Sequence, residues 1–350
     1  MQWAKLESKA RFNLATSGVA AYPLSELPCS IDRLEINGDS TYGYAPLQQA
    51  IAKKADVDPD CVVAAAGTSM ANHLAMAALI EPGDEVLIEQ PAYELLVSTA
   101  QYLQAEVTRF PRHEANNFAL DPDEIRRHIT PNTKLIVVTN LHNPTSVLTP
   151  ESTLREIGDI ARTINAHVLV DEVYLDAVYE NTPRSSFHLG KEFVTTNSLT
   201  KVYGLSGLRC GWVLAQPDLA RAMWRLNDLF GAVPAHPAER ISAIAFQYLT
   251  KIRERARTIV QADRALLANF FAADNGRHFA AASTAFGTTS FPRLKKGSAD
   301  AFLTQLREKQ ETSVVPGRFF DMPNHFRIGM GVNSEVFAEG LSRLAKATHP

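Results

Sequence analysis

Residues 195–212 read TTNSLTKVYGLSGLRCGW, and the fold turns on what this stretch does with its single lysine, Lys201. The run KEFVTTN (191–197) reads as a strand, so Lys201 stands just beyond a strand end. Gly204, Gly207 and Gly211 follow, residues that let backbone approach a bound object, and Arg209 supplies a planar guanidinium suited to phosphate. An amine becomes nucleophilic near neutral pH only when desolvation or a nearby cation lowers its pKa, and a buried site beside an arginine offers both.

Working outward, DEVLIEQ (84–90), KLIVVTN (134–140) and AHVLVDE (166–172) are further valine- and isoleucine-rich runs. They are nearly continuous in apolar character, as strands covered on both faces must be. Helical patterns separate them, such as PESTLREIGDIARTIN (150–165), with Pro150 at its start and Ser152 as the cap candidate. Strand, helix, strand in alternation predicts an α/β fold with a mainly parallel, helix-covered sheet. From Ala238 to Asn275 one amphipathic pattern without proline predicts a single long connecting helix. The short stretches GTTSFPRL and SVVPGRFF and a helix from Asn333 then suit a smaller α+β domain formed by the two chain ends. The expected division is 31–255 for a large domain, with 1–30 and 256–350 forming the small one.

The chain has 350 residues, above the roughly 250–300 at which single cores stop growing. Its 45% hydrophobic and 21% charged residues describe a folded globular protein. A formal net charge of −3 with both signs dispersed predicts neither a nucleic-acid nor a membrane partner. Three widely spaced cysteines, Cys29, Cys61 and Cys210, fit neither a disulfide framework nor a metal site and suit a cytoplasmic protein. No metal is expected.

Three further stretches carry chemistry. In VVAAAGTSMANHLAMAAL (62–79) an apolar run meets Gly67, Thr68 and Ser69 before a helical pattern, which presents free amides to an anion; alone, this is also an ordinary helix cap. TNLHNPTSVLTP (139–150) puts Asn143, stiffened by Pro144, beyond a strand end, where open sheets bind ligands; alone, it is also a turn. His142 beside it reads as polar surface. In AHVLVDEVYLDAVY (166–179) Asp171 closes a buried strand and asks for a cation, which a structural arginine would equally supply.

Taken in chain order, AGT (66–68), NLHNPTS (140–146), DEVY (171–174) and SLTK (198–201) with Arg209 eight positions on make the sequence similar to the class I/II aminotransferases, fold type I pyridoxal-phosphate enzymes. The likeness runs over nearly the whole chain, including VVPGRFF (314–320) and FRIGMG (326–331). The resemblance implies pyridoxal 5'-phosphate in the large domain, held covalently by Lys201, which also moves the substrate proton. It implies Asp171 on the ring nitrogen, Asn143 and Tyr174 on the ring oxygen, and Tyr93 stacked on the ring. It implies phosphate contacts from Gly67, Thr68, Ser198 and Arg209, and a carboxylate grip by Arg327 with Gly18 nearby. The implied reaction moves an α-amino group from an amino acid to a 2-oxo acid by a ping-pong route; a lyase or cyclase of the same fold is the alternative. The resemblance also implies a homodimer, with Tyr42 the candidate to reach the partner's phosphate site.

Two departures stand out. Ala66 replaces the phosphate-binding serine of many members, and Ser146 replaces the usual glycine after Asn-Pro-Thr. A second arginine in the pocket would favour dicarboxylates, with Arg11, Arg33, Arg184 and Arg318 as candidates.

Overall fold

A computed structural model describes residues 2–31, 34–38, 41–281 and 285–348. A two-residue strand, β1 (Phe12–Asn13), precedes the seven strands of the large sheet: β2 (Val62–Ala66), β3 (Glu85–Gln90), β4 (Glu106–Pro111), β5 (Thr133–Thr139), β6 (His167–Asp171), β7 (Phe193–Ser198) and β8 (Cys210–Leu214). Their order is β2-β8-β7-β6-β5-β3-β4. All neighbours run parallel except β8, which is antiparallel to both β2 and β7. The fold class expected from the alternating pattern is therefore the one observed.

Every residue of Leu135–Val138 and Val168–Val170 is fully buried, which is why these strands carry no alternating polar face. One layer of apolar side chains joins the sheet to the helix Gly67–Leu79, and another joins it to the helix Glu151–Thr163 on the opposite face. The carboxyl ends of β5, β6 and β7 thus finish together, between helix layers, at Thr139, Asp171 and Ser198.

Six short strands follow: β9 (Phe279–Ala280), β10 (Thr289–Ser290), β11 (Arg293–Leu294), β12 (Thr312–Ser313), β13 (Val315–Pro316) and β14 (Phe326–Gly329). β14 lies between β10 and β13, and β1 pairs in parallel with β12, so an early segment is built into late structure. A separate core, with Leu14, Phe326, Ile328 and Leu344, covers this part. The final helix, Ser334–Ala347, is capped by the Asn333 side chain, which accepts from the Glu335 and Val336 amides.

Two local expectations are corrected. Ser152 is not a cap: the helix begins at Glu151 behind Pro150, whose fixed φ of −61° sets the entry without a side-chain bond. The single helix expected from Ala238 to Asn275 is two, His236–Gln247 and Leu249–Asp274, separated at Tyr248 (φ −113°, ψ 13°). The break lets the first helix pack on Ala45–Ala55 while the second runs on to the final helix, two directions that one straight rod would not serve. Among the described residues no helix is long and apolar enough to cross a membrane.

Candidate active site

Beyond the carboxyl ends of β5, β6 and β7 lies a cavity of about 630 Å3. Gly18, Thr68, Tyr93, Asn143, Asp171, Tyr174, Ser198, Lys201, Arg209 and Arg327 all line it. These residues come from chain positions more than three hundred apart, and the sheet is what gathers them.

Asp171 sits at the floor, 4% exposed. Its Oδ2 accepts from Asn72 Nδ2 at 2.8 Å and its Oδ1 from the Val173 amide at 3.0 Å. Burial pushes its carboxyl up to about 6, against the pull of the Asn72 and Val173 donors and the Lys201 charge. Asn72 is itself oriented, since its Oδ1 accepts from Thr196 Oγ1 at 2.6 Å. An amide so held must present its NH2 to Asp171.

One end of the cavity is built by the chain turning from β2 into the helix Gly67–Leu79. Gly67 has φ +78°, and a Cβ there would collide with the Arg209 guanidinium, so glycine is what allows that guanidinium to lie against the helix start. Arg209 Nη2 donates to the Ala66 carbonyl at 3.3 Å. Gly67 itself stands behind Thr68 and does not line the cavity. Ala66 at the expected serine position is exposed and contributes only this carbonyl.

At the other end Arg327 projects from β14 and is 8% exposed. Its Nη1 donates to Asn143 Oδ1 at 2.9 Å and its Nη2 to the Ala15 carbonyl at 3.2 Å. Gly18 lies on the Lys201 side: a Cβ there would stand 3.3 Å from the Lys201 carbonyl, whose oxygen accepts from Val19 N at 2.8 Å. The N-terminal backbone that meets Arg327 is therefore Ala15. Tyr174 donates to Ser17 Oγ at 2.8 Å. Burial raises the Tyr93 phenol, which keeps it neutral against the core of the sheet.

The donor set fits pyridoxal phosphate. Four charged side chains line the cavity, the acid Asp171 and the bases Lys201, Arg209 and Arg327, an excess of positive charge that suits a phosphate and a carboxylate together. Among the described residues Thr68 Oγ1, Thr200 Oγ1 and Arg327 Nε are buried without a hydrogen-bond partner, and all three belong to this lining. Buried polar atoms are seldom left unpaired, so these ask for a polar ligand.

Other expectations are redirected. His142 is not surface: it is 1% exposed, with Nε2 2.9 Å from the Pro91 carbonyl and Nδ1 2.6 Å from Thr145 Oγ1. Arg11, Arg184 and Arg318 lie away from the cavity, beside Glu311, Asp56 and Asp300, and Arg33 falls outside the described residues. Tyr42 is 48% exposed, bonds Asp228 through its hydroxyl at 2.9 Å and stacks on Trp224, away from this chain's cavity. Ser146 adopts φ +62° and uses its hydroxyl to bond Thr289. Asn72, Ser17 and Thr139 join the cavity without a motif to announce them; a polar Asn72 inside the apolar run MANHLAMAAL was the available signal.

Residues 35–344 match the family model described as aminotransferase class I and II. The chain is 29% identical to a capreomycidine synthase of Streptomyces vinaceus, over 97% of this chain and 90% of that protein. It is 28% identical to an aspartate aminotransferase of Pyrococcus horikoshii, over 83% of this chain and 76% of that one. A solved PLP-dependent aminotransferase from Streptococcus suis superposes with a TM-score of 0.92 at 26% identity, covering 99% of this chain and 96% of that one.

Proposed function

The chain belongs to the class I and II aminotransferase family and uses pyridoxal phosphate, and from that premise we propose how its residues share the work. It is an enzyme that moves an amino group from an amino acid to a 2-oxo acid. The observation that supports the assignment of roles is the convergence of Lys201, Asp171 and Arg327 on one cavity.

Thr68, Ser198 and Arg209, with the Thr68 amide, would hold the phosphate. Lys201 would carry the aldehyde carbon, Asp171 would face the ring nitrogen, Asn143 and Tyr174 the ring oxygen, and Tyr93 the ring plane. Bound there, the coenzyme supplies an electron sink for the bond that breaks at the substrate Cα. Arg327 grips the α-carboxylate and so turns the Cα–H toward Lys201. The Lys201 amine, freed when the substrate amine replaces it, would take the proton from the substrate Cα and deliver it to the coenzyme's former aldehyde carbon rather than back to Cα. Asp171, ionised beside the ring nitrogen, keeps positive charge where electrons must arrive.

The two half-reactions would alternate in a ping-pong cycle, the 2-oxo acid product leaving before the acceptor enters. Incubating the loaded protein with single amino acids tests this. Conversion of the coenzyme to its amine form with one equivalent of 2-oxo acid is the expected result. Steady release of ammonia without an acceptor is the opposing one. The similarity to capreomycidine synthase favours a second reading, ring closure on a modified amino acid, and a product of unchanged nitrogen count would identify it.

We also propose the division into 31–255 and 1–30 with 256–350, supported by the pairing of β1 with β12. A homodimer is proposed, with Tyr42 on the face toward the partner's phosphate site; its exposure and its anchor on Trp224 support that placement. A sedimentation measurement giving an active monomer would remove it. A cytoplasmic location is proposed from the three free cysteines.

A further inference from the structure

Glu89, at the end of β3, and Arg112, just past β4, are charged groups with no exposed side-chain surface. Arg112 Nη1 donates to Glu89 Oε2 at 2.8 Å, and Arg112 Nε donates to the Phe118 carbonyl at 2.7 Å. A buried carboxylate needs such a partner. What matters for the site is the other oxygen. Glu89 Oε1 accepts from the Thr139 amide at 2.8 Å and from Thr139 Oγ1 at 2.6 Å.

A hydroxyl has one proton, and Thr139 spends it on Glu89. Toward every other neighbour Thr139 Oγ1 is then an acceptor, and the neighbour that uses it is the Asn143 amide, 3.0 Å away. The Asn143 side chain in turn presents Oδ1 to Arg327 Nη1. A second tie runs beside the first. The Pro91 carbonyl only accepts, so His142 carries its proton on Nε2, and Nδ1 accepts from Thr145. Burial and the Arg112 charge hold His142 far below its ordinary pKa, so Arg112 is the counter-ion of Glu89 even though His142 Nε2 lies 4.0 Å from it.

We propose that Glu89 is a positioning residue for the substrate: by fixing the Thr139 hydroxyl as an acceptor it sets where Asn143 meets Arg327, and so sets the grip on the α-carboxylate. The proposal rests on the reading of Arg327 as the carboxylate-binding group.

The test uses the coenzyme-loaded protein and two readouts: KM and kcat for an amino donor, and the dissociation constant of propionate followed through the coenzyme's absorbance. Thr139→Val removes the hydroxyl, keeps the volume and leaves the ion pair intact. It should raise the donor KM and the propionate constant on the order of tenfold, the value of one hydrogen bond, with kcat within about threefold. Thr139→Ser, which keeps the hydroxyl, should restore both to within about threefold of the parent. Glu89→Gln should reproduce the Thr139→Val loss, and the double variant should add less than about twofold, because both break one chain of contacts. If Glu89→Gln does not fold, the valine and serine variants decide alone. Arg327→Ala serves as the reference. Propionate binding lost there but unchanged in Thr139→Val overturns the relay; binding unchanged in Arg327→Ala overturns the carboxylate reading beneath it.

Discussion

Asn72 Nδ2 lies 2.8 Å from Asp171 Oδ2, across 99 positions of sequence, and it is the closest side-chain donor the carboxylate has among the described residues. Among the described residues no cation lies at hydrogen-bond distance from the carboxylate. Asp171 therefore holds its proton more tightly than an ordinary aspartate, with burial as the cause.

The pH dependence of the coenzyme-free protein follows. Folded, Asp171 titrates at about 6; unfolded, near the ordinary 3.8. Between those values the folded state binds the extra proton, so its contribution is fully present below the lower value and lost as pH rises through the upper one. The loss is about 3 kcal/mol, at roughly 1.4 kcal/mol per unit. Urea unfolding at pH 4 and pH 7 should show the parent falling by that order relative to Asp171→Asn; parallel curves would contradict it.

Replacing Lys201 by alanine should remove the covalent attachment, so dialysis strips the coenzyme band, and kcat should fall by at least on the order of 10³. Stopped-flow absorbance with an amino donor checks both. A variant that still cycles at the parent rate would end the assignment.

Arg327→Ala should cost about 3–5 kcal/mol, or on the order of 10²–10⁴ in kcat/KM, because the carboxylate would meet a cavity with its cation gone. The defect should be smaller for a plain amine lacking the carboxylate, and steady-state kinetics on the matched pair of donors would reveal an equal loss if the role were merely structural.

Ser146 answers the departure seen in its motif. Its φ of +62° is strained for a serine, yet Oγ accepts from Thr289 N at 3.2 Å and lies 2.9 Å from the Thr289 carbonyl and from its hydroxyl. Ser146→Ala keeps the strain and loses the bonds, and should destabilise by about 1–2 kcal/mol. Ser146→Gly loses the same bonds and relieves about 1 kcal/mol of strain, leaving it closer to the parent. Thermal or urea unfolding ranks the two, and the reverse order would refute the account.

The strands at 84–90, 134–140 and 166–172 were legible because residues buried on both sides leave a nearly continuous apolar run. The split at Tyr248 was not, since both helices share one amphipathic period and only their different packing partners separate them. Motif residues such as Lys201 and Asp171 stood at strand ends and could be read there. Asn72, Ser17 and Glu89 act through partners far away in sequence, which local pattern does not reveal. Glu89 did leave a trace: a carboxylate inside DEVLIEQ raises the same question that Asp171 raised.

The parallel pairing of β1 with β12 has a temporal meaning. Ser313 Oγ donates to the Ser8 carbonyl over a separation of 305 residues, so the earlier segment must wait for one translated about three hundred residues later. Closing so large a loop is entropically slow to achieve, and Ala15 and Gly18 lie in the waiting segment. On the ribosome the nascent chain can complete its central sheet at β8, but it stays unable to enclose a substrate until β12 and β14 have also emerged.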